Sequence, residues 1–417
     1  MTTRFDADVI VAGAGLAGAT FALAAAHGGL DVILVDPVPF SAQLEPSFDG
    51  RASAIAWSSF RQWRVLGAGD SLAPVAQPIE KILVTDGKRP GAASSAGHGV
   101  FLRFDAEEIG DRTGHEPMGW MVENRQARKA LSEALERSTV RLITPVGLAS
   151  LEGDPFGVTA TLTDGQTFRA PLIVGAEGRA SRVRDFAGIE TVGWSYPRSG
   201  VVATVKLERP HNGVAHEVFL PDGALAILPL TDQRASLVWT EPHDRARALK
   251  AASLEAFTAH LSRRFGDFLG EIEVLEPRFV YPLGLQLAET LVGPRAALVG
   301  DAGHVIHPLA GQGLNLGLKD AAALAETLVD ARRLGEDIGS VSVLERYVAW
   351  RRFDNLALSA MTDGFDRLFA TDNPLVRTVR DAGMAAVNAV PAARRFFMAE
   401  AGGSVGDVPR LLRGEAL

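Results

Sequence analysis

Three glycine-rich segments of this chain each follow an apolar run, and each carries an acid. The first is Gly13-x-Gly15-x-x-Gly18, with Asp36 lying 18 residues beyond its last glycine. The second runs Gly175-Ala-Glu-Gly-Arg-Ala-Ser-Arg-Val-Arg184 and contains Glu177, Gly178 and three arginines. The third, GDAGHVIHPLAGQGLNLGLKDA at 300–321, holds Asp301, two histidines, Pro308 and the glycines 311, 313 and 317. Glycine lets a backbone approach a partner closely or take a positive φ. A helix that starts behind such a loop offers unpaired N–H groups to a phosphate, and an acid at a strand end accepts hydrogen bonds from sugar hydroxyls. Three strand-end sites of this kind imply one long ligand contacted along its length.

The elements that must position these groups are legible around them. VIVA before Gly13 is apolar and β-branched, and the alanine-rich run after Gly18 has helical propensity, giving strand–turn–helix. Asp6 and Asp8 stand where a signal peptide would carry positive charge, and the glycines split the uncharged run 9–26, so neither a signal peptide nor a membrane span is expected there. DVILVD at 31–36 is a second strand ending in its acid. Residues 81–104 read as antiparallel strands around a small-residue loop, and ENRQARKALSEALERS at 123–138 reads as a helix. Asp164-Gly165 between alternating runs marks a hairpin, whose second arm leads into the strand LIVGA. From about 190 to 285 the pattern is β-rich, interrupted by a helix over 253–265. RAALVG at 295–300 is a strand feeding the third segment, and a helix is expected from Gln312 or Gly313. The remainder reads as helical, with breaks at Pro374, Pro391 and Pro409. Parallel βα units flanking a long antiparallel insertion give an α/β chain of two interleaved domains with a helical tail.

Composition narrows the chemistry. A formal charge of −8 gives no general attraction to nucleic acid. The absence of cysteine removes disulfides, thiolate metal sites, iron–sulfur clusters and cysteine nucleophiles. Neither Ser53 nor Ser181 stands in a G-x-S-x-G elbow, which argues against hydrolysis through them. Asp301, His304 and His307 are spaced by three, but the proline and glycines at 308–313 do not support a helix that would hold both imidazoles on one face, so no metal site is expected.

With these residues in view, the chain resembles the FAD-dependent aromatic hydroxylases, and HPLAGQGLNLGLKD at 307–320 resembles the signature of the ubiquinone-biosynthesis hydroxylase family. The resemblance spans essentially the whole chain. It implies a three-layer, Rossmann-like FAD-binding domain (1–80, 115–188 and 285–335) interleaved with a β-sheet substrate domain (81–114 and 189–284) and closed by a C-terminal helical segment (336–417). It implies that Gly13, Gly15 and Gly18, with Leu16 and Ala17 between them, contact the FAD pyrophosphate and that Asp36 holds the adenosine ribose. Arg51 in DGRASAIAW and Asn124 would stand near the flavin, Glu177 and Gly178 against the cofactor, and Asp301 on the ribityl chain. Pro308, Gly311, Gly313, Leu314 and Asn315 would form the loop beside the isoalloxazine. Glu177 departs from the family, which usually has Asp before that glycine.

The implied reaction is hydroxylation of a polyprenylated phenol or benzoquinone precursor by O2 through a flavin C4a-hydroperoxide, with NAD(P)H as transient electron donor. A single GxGxxG fingerprint means that no second dinucleotide domain is expected. The alternatives are hydroxylation of a soluble aromatic without the prenyl tail, a flavin-free escort for a prenylated partner, and reduction of an isoprenoid double bond. The segment 377–417 holds six arginines against four acids, suited either to a helix docked on its own protein or to peripheral contact with a membrane or quinone-biosynthesis partner. The expected location is cytoplasmic, with a peripheral place at the inner membrane as the alternative, and symmetric homo-oligomers are common enough that a monomer is not assumed.

Overall fold

The computed structural model describes residues 5–86, 100–110, 116–220, 223–306, 312–352, 383 and 387–417. His307, Pro308, Gly311 and Pro374 therefore lie outside the described residues.

The short apolar runs assemble into a sheet buried on both faces, which is why they lack polar alternation. Its strands are β1 (Val9–Ala12), β2 (Val32–Val35), β8 (Arg141–Ile143), β12 (Leu172–Gly175), β18 (Val292–Gly293) and β19 (Ala296–Leu298). They lie in the order β18-β19-β12-β1-β2-β8, parallel except for the β18–β19 pair. Val9, Val11, Leu34 and Val174 face α1 (Leu16–His27) and a second long helix, Gln312–Arg333, in one core. Ile10, Ile33 and Ile173 face the other way, onto Val158, Ala160 and Leu162. Those three belong to a separate sheet of β9 (Leu148–Asp154), β10 (Gly157–Leu162) and β11 (Thr167–Ala170). The β10–β11 hairpin turns through Gly165 at φ +88°, as the Asp-Gly signal required.

The β-rich stretch folds into one eight-stranded sheet. It comprises β5 (Lys81–Asp86), β6 (Val100–Asp105), β13 (Thr191–Leu207), β14 (Val214–Leu220), β15 (Gly223–Leu230), β16 (Arg234–Pro242), β17 (Ile272–Ala288) and β20 (His304–Val305). The order is β20-β17-β13-β16-β15-β14-β5-β6. One face carries Val201, Val218, Leu225, Leu237 and Trp239 against the helices His243–Ala251 and Leu254–Phe265, whose Ala246, Leu249, Phe257 and Leu261 fill that core. The domain boundary expected at 285 falls inside β17, which continues to Ala288 and pairs with β20. A third small sheet joins β3 (Ala52–Ala56), β4 (Gln77–Pro78) and β7 (Gly119–Glu123).

The breaks expected at Pro391 and Pro409 both fall between helical segments. Residues 387–389 are helical, Val390 is extended, and Pro391 opens the helix Pro391–Ala401 at its first position, where its missing N–H costs nothing. Pro409 likewise precedes the short helix Arg410–Arg413. Arg410 bonds Glu326 and Asp330 on the long helix, and Arg394 pairs with Glu108, so these tail arginines are engaged within the chain. No helix among the described residues is long and apolar enough to cross a membrane.

Asp320 fastens the long helix to the sheet. Its fully buried carboxylate accepts from the Gly300 N–H at 3.1 Å, from Arg351 Nε at 2.8 Å and from His304 Nε2. Burial opposes the charge, but His304 and Arg351 outweigh it and hold the carboxyl below its ordinary range. Asp320→Ala should therefore lower stability by about 3–5 kcal/mol. Chemical denaturation followed by circular dichroism measures this, and a loss of under about 1 kcal/mol would show that the carboxylate contributes little net stability.

Candidate active site

The register of the parallel sheet decides where the sequence motifs meet. Ala12 pairs with both Val35 and Gly175, and Gly175 pairs with Leu298. The four strands thus end in one row, and the Gly13 loop, Asp36, Glu177 and Asp301 emerge side by side at their carboxyl edge, the usual ligand position in such sheets. The ladder runs one step further through Gly13 N–H to Val35 O at 2.8 Å, Ala176 N–H to Ala12 O at 2.7 Å and Val299 N–H to Gly175 O at 3.0 Å.

The three glycines of the first loop have different tasks. Gly13 has φ +98°, and a Cβ there would lie 2.5 Å from the Ala176 carbonyl oxygen. A Cβ on Gly18 would stand 1.9 Å from the Gly13 carbonyl oxygen, so Gly18 lets α1 pack beneath its own loop. A Cβ on Gly15 would meet nothing within 4 Å. Gly15 also caps α1 without a side-chain hydrogen bond, leaving first-turn N–H groups facing open space. That combination, a bare helix N-terminus with room against it, fits a pyrophosphate.

Asp36 accepts from the Ala14 N–H at 2.6 Å and the Val38 N–H at 2.7 Å, so it braces the glycine loop as well as facing the groove. Burial raises its pKa, with the two backbone donors opposing. Glu177 turns back on its own segment, accepting from Ser181 Oγ at 2.8 Å and the Val183 N–H at 3.1 Å. Burial raises its pKa too. Asn315 spends its amide on β3, accepting from the Ala56 N–H at 2.9 Å and donating to Ala54 O at 2.8 Å. Its side chain thereby fixes the start of the long helix against β3. Of the third segment's histidines, His304 is paired with Asp320 rather than with Asp301, and no metal-binding group of three or more acids and histidines exists among the described residues.

Arg51 and Asn124 are brought together by the β3–β7 pairing, in which Ala52 lies opposite Glu123. The Asn124 N–H bonds Arg51 O at 2.9 Å. Both side chains converge on Asp49, an acid that carried no role in the sequence reading. Its carboxylate accepts from Arg51 Nε at 2.9 Å, Asn124 Nδ2 at 3.0 Å and Arg128 at 2.7 Å, with the Tyr281 hydroxyl at 3.4 Å. Burial disfavours its charge, yet Arg51, Arg128 and Asn124 together hold the carboxyl well below the usual range. Arg51 also sits 5.0 Å over the Tyr281 ring. Asp49 begins the Asp-Gly-Arg turn, and its place beside an arginine was the signal available for it.

A single cavity of about 1780 Å³ joins these groups. Gly13, Gly15, Leu16, Ala17, Asp36, Arg51, Asn124, Glu177, Gly178, Asp301, Gly313, Leu314 and Asn315 line one part of it; Gly18 lies behind the loop. The cavity continues onto the second face of the eight-stranded sheet, with Val84, Phe104, Ala226 and Val238, and reaches Phe397 and Met398 of the C-terminal helix. This exceeds the roughly 300–1,000 Å³ of a site for one drug-sized ligand. A dinucleotide groove opens directly into an apolar chamber.

This fold and groove define a dinucleotide-binding oxidoreductase, and comparison with known proteins gives it a family. Residues 6–353 match the FAD binding domain family. The chain is 45% identical to a ubiquinone hydroxylase, UbiL, of Rhodospirillum rubrum over 99% of its own length and 94% of the relative's. It is 34% identical to the 3-demethoxyubiquinol 3-hydroxylase of Escherichia coli over 92% and 95% of the two chains. The crystal structure of p-nitrophenol 4-monooxygenase PnpA from Pseudomonas putida shares the fold with a TM-score of 0.78, at 19% identity over 96% of this chain and 99% of that one. The chain belongs to the FAD-dependent aromatic hydroxylases, within the ubiquinone-biosynthesis hydroxylase family.

The glycine geometry separates folding from cofactor binding. Gly15→Ala should fold with stability within about 0.5 kcal/mol of the parent and lose bound flavin, because its methyl occupies the groove. Gly18→Ala should destabilise by at least about 1–3 kcal/mol. Thermal denaturation alongside flavin absorbance reads both, and flavin retained by Gly15→Ala would remove the assignment of that groove.

Proposed function

We propose that this FAD-dependent monooxygenase hydroxylates the aromatic ring of a polyprenylated phenol or benzoquinone precursor of ubiquinone, using O2 and an external donor, NADH or NADPH. The observation that carries the reading is the continuity of one cavity from the dinucleotide loops to an apolar sheet face. The names of the relatives give the substrate class, since two of them are a ubiquinone hydroxylase and a demethoxyubiquinol hydroxylase.

Under this reading the N–H groups behind Gly13, Gly15 and Gly18, flanked by Leu16 and Ala17, hold the pyrophosphate, and Asp36 accepts from the adenosine ribose. Asp301 takes the ribityl chain, with Glu177 and Gly178 alongside. Gly313, Leu314 and Asn315, in the first turn of the helix Gln312–Arg333, would lie against the ring system. FAD supplies the electron transfer and oxygen activation that ground-state O2 needs, while the protein orients the reactants and excludes water. The N-terminus of the helix Gln312–Arg333 lies on the cavity wall and favours negative charge beside it by about 0.3–1 kcal/mol, more where buried. Arg51 holds a second positive charge there, fixed by Asp49.

An isoprenoid tail needs an apolar path. Ile82, Val84, Leu102 and Phe104 offer one, and Phe397 and Met398 line its far end. Phe396, 54% exposed, stands next to them beside Arg395, which suits peripheral contact with a membrane where such tails reside.

Flavin-loaded protein given a nicotinamide donor should convert 2-geranylphenol to a hydroxylated product with kcat/KM at least about tenfold above that for phenol, measured by mass spectrometry of the product. Equal values would favour a soluble aromatic substrate. Product from neither would remove the hydroxylation of phenols.

A further inference from the structure

The cavity-facing side of the eight-stranded sheet is apolar except at Thr240, Tyr281 and one carboxylate. On β14, Ala215, Glu217 and Phe219 share the cavity face, while Val218 points into the opposite core. Glu217 lies in register with Ala226 on β15 and Val84 on β5, so its lateral neighbours carry no charge. Among the described residues it has no cation and no hydrogen-bond donor, and burial is the one cause acting on its titration. Maintaining a carboxyl on such a wall costs free energy that an alanine or valine would avoid.

We propose that Glu217 is the catalytic base that removes the phenolic proton of the aromatic substrate; this rests on the hydroxylase reading above. The phenol O–H bond breaks, its proton forms the O–H bond of the Glu217 carboxylic acid, and the electron pair left on oxygen raises the nucleophilicity of the ring carbons. Oxygen comes from O2 and electrons from the external donor, as the monooxygenase reaction already requires. After oxygen transfer the ring C–H proton is released to solvent, and Glu217 returns its proton to the product oxygen.

The surroundings suit that task. Burial pushes the Glu217 carboxyl up to about 7, where a base is both available and strong enough near neutral pH. His216, next on the strand, lies edge-on to Phe268 with ring centroids 4.7 Å apart, and burial pushes its pKa down to about 4, so it stays neutral. On the flanking strands Lys81 and Arg103 both pair with Asp105. Elsewhere on the cavity wall Arg51 and Arg128 are held by Asp49, with Tyr281 beside them. Lys319 and Glu400 come from the two helices across the cavity, and Asp36, Glu177, Arg179, Arg182 and Asp301 stand at the dinucleotide loops. Sequence alternation concealed Glu217, because a lone acid in AHEVFL reads as a solvent-facing strand position.

The test compares flavin-loaded wild type with Glu217→Gln and Glu217→Asp, using 2-geranylphenol and its methyl ether, which has no proton to give up. Glu217→Gln should keep its flavin, lower hydroxylation of the phenol by about 100-fold or more and abolish the limb of kcat/KM that rises with pH through about 7. Glu217→Asp should retain that limb at reduced rate. Methyl ether turnover, slow in wild type, should be the same in Glu217→Gln. The proposal is overturned if Glu217→Gln keeps the wild-type rate and pH limb, or if phenol and ether lose activity equally, which would mark a packing role. Flavin lost from both variants would likewise overturn it, by assigning Glu217 to the architecture. Wild type that hydroxylates nothing removes the hydroxylase reading as well, and that control separates the two failures.

Discussion

The alignment of four parallel strands at their carboxyl ends is the constraint on which the rest of the molecule depends. Because Val35, Ala12, Gly175 and Leu298 terminate in register, loops separated by nearly 300 positions in the chain open on the same edge. A one-residue slip would turn Ile10 and Val11 to the wrong layers and move Asp36 off the row. The register is specified by burial on both faces: Val9 and Val11 need the helical layer, and Ile10 needs the β9–β11 layer. Cofactor geometry is therefore a consequence of core packing, not of the loops' own preferences.

Two buried carboxylates convert that edge into a rigid site. Asp320 ties the Gly300 turn, His304 and Arg351 to the long helix, and Asp49 ties β3, β7 and the segment before them through Arg51, Asn124 and Arg128. A buried ion pair is a weak source of net stability, since desolvation offsets much of the attraction. Its directional bonds nevertheless fix geometry, and the Asp320 cluster links segments that no strand pairing connects. Gly317 completes the arrangement, since a Cβ there would lie 2.9 Å from the Gly300 Cα.

Much of this was legible in the sequence, for identifiable reasons. Continuous apolar runs followed by glycines and an acid specify parallel strands with ligand loops, and the strands VIVA, VILV and LIVG lie where that pattern puts them. The helix over Asn124–Glu136 and the Asp164-Gly165 hairpin follow from local periodicity and turn chemistry. Partners at long range were not legible. Nothing local distinguishes Asp320 from a solvated acid, and the arginine near Asp49 does not by itself reveal that carboxylate's burial; the helix Trp57–Val65 is similar, since its tryptophans are buried only because other elements cover them. Pro391 was legible as a break, though not which side of it the residue serves: a proline interrupts a helix from inside but is at home in the first position of the next one.

The two ends of the cavity solve different recognition problems with different parts of the chain. At the dinucleotide end most donors are backbone N–H groups, which any sequence supplies once glycine permits the approach, so the motif is short and readable. At the sheet end the backbone is consumed by strand ladders, so only side chains face the substrate. Chemistry there rests on which residue occupies each second position of β13 to β17, a pattern in which apolar residues form the wall and a polar one stands out only after the fold assigns its face. A wall of this kind excludes water and accommodates an apolar tail almost regardless of which aliphatic residues form it. Under the proposed reading, recognition of the aromatic oxygen and movement of its proton fall to the few polar groups on that wall, Glu217, Thr240 and Tyr281.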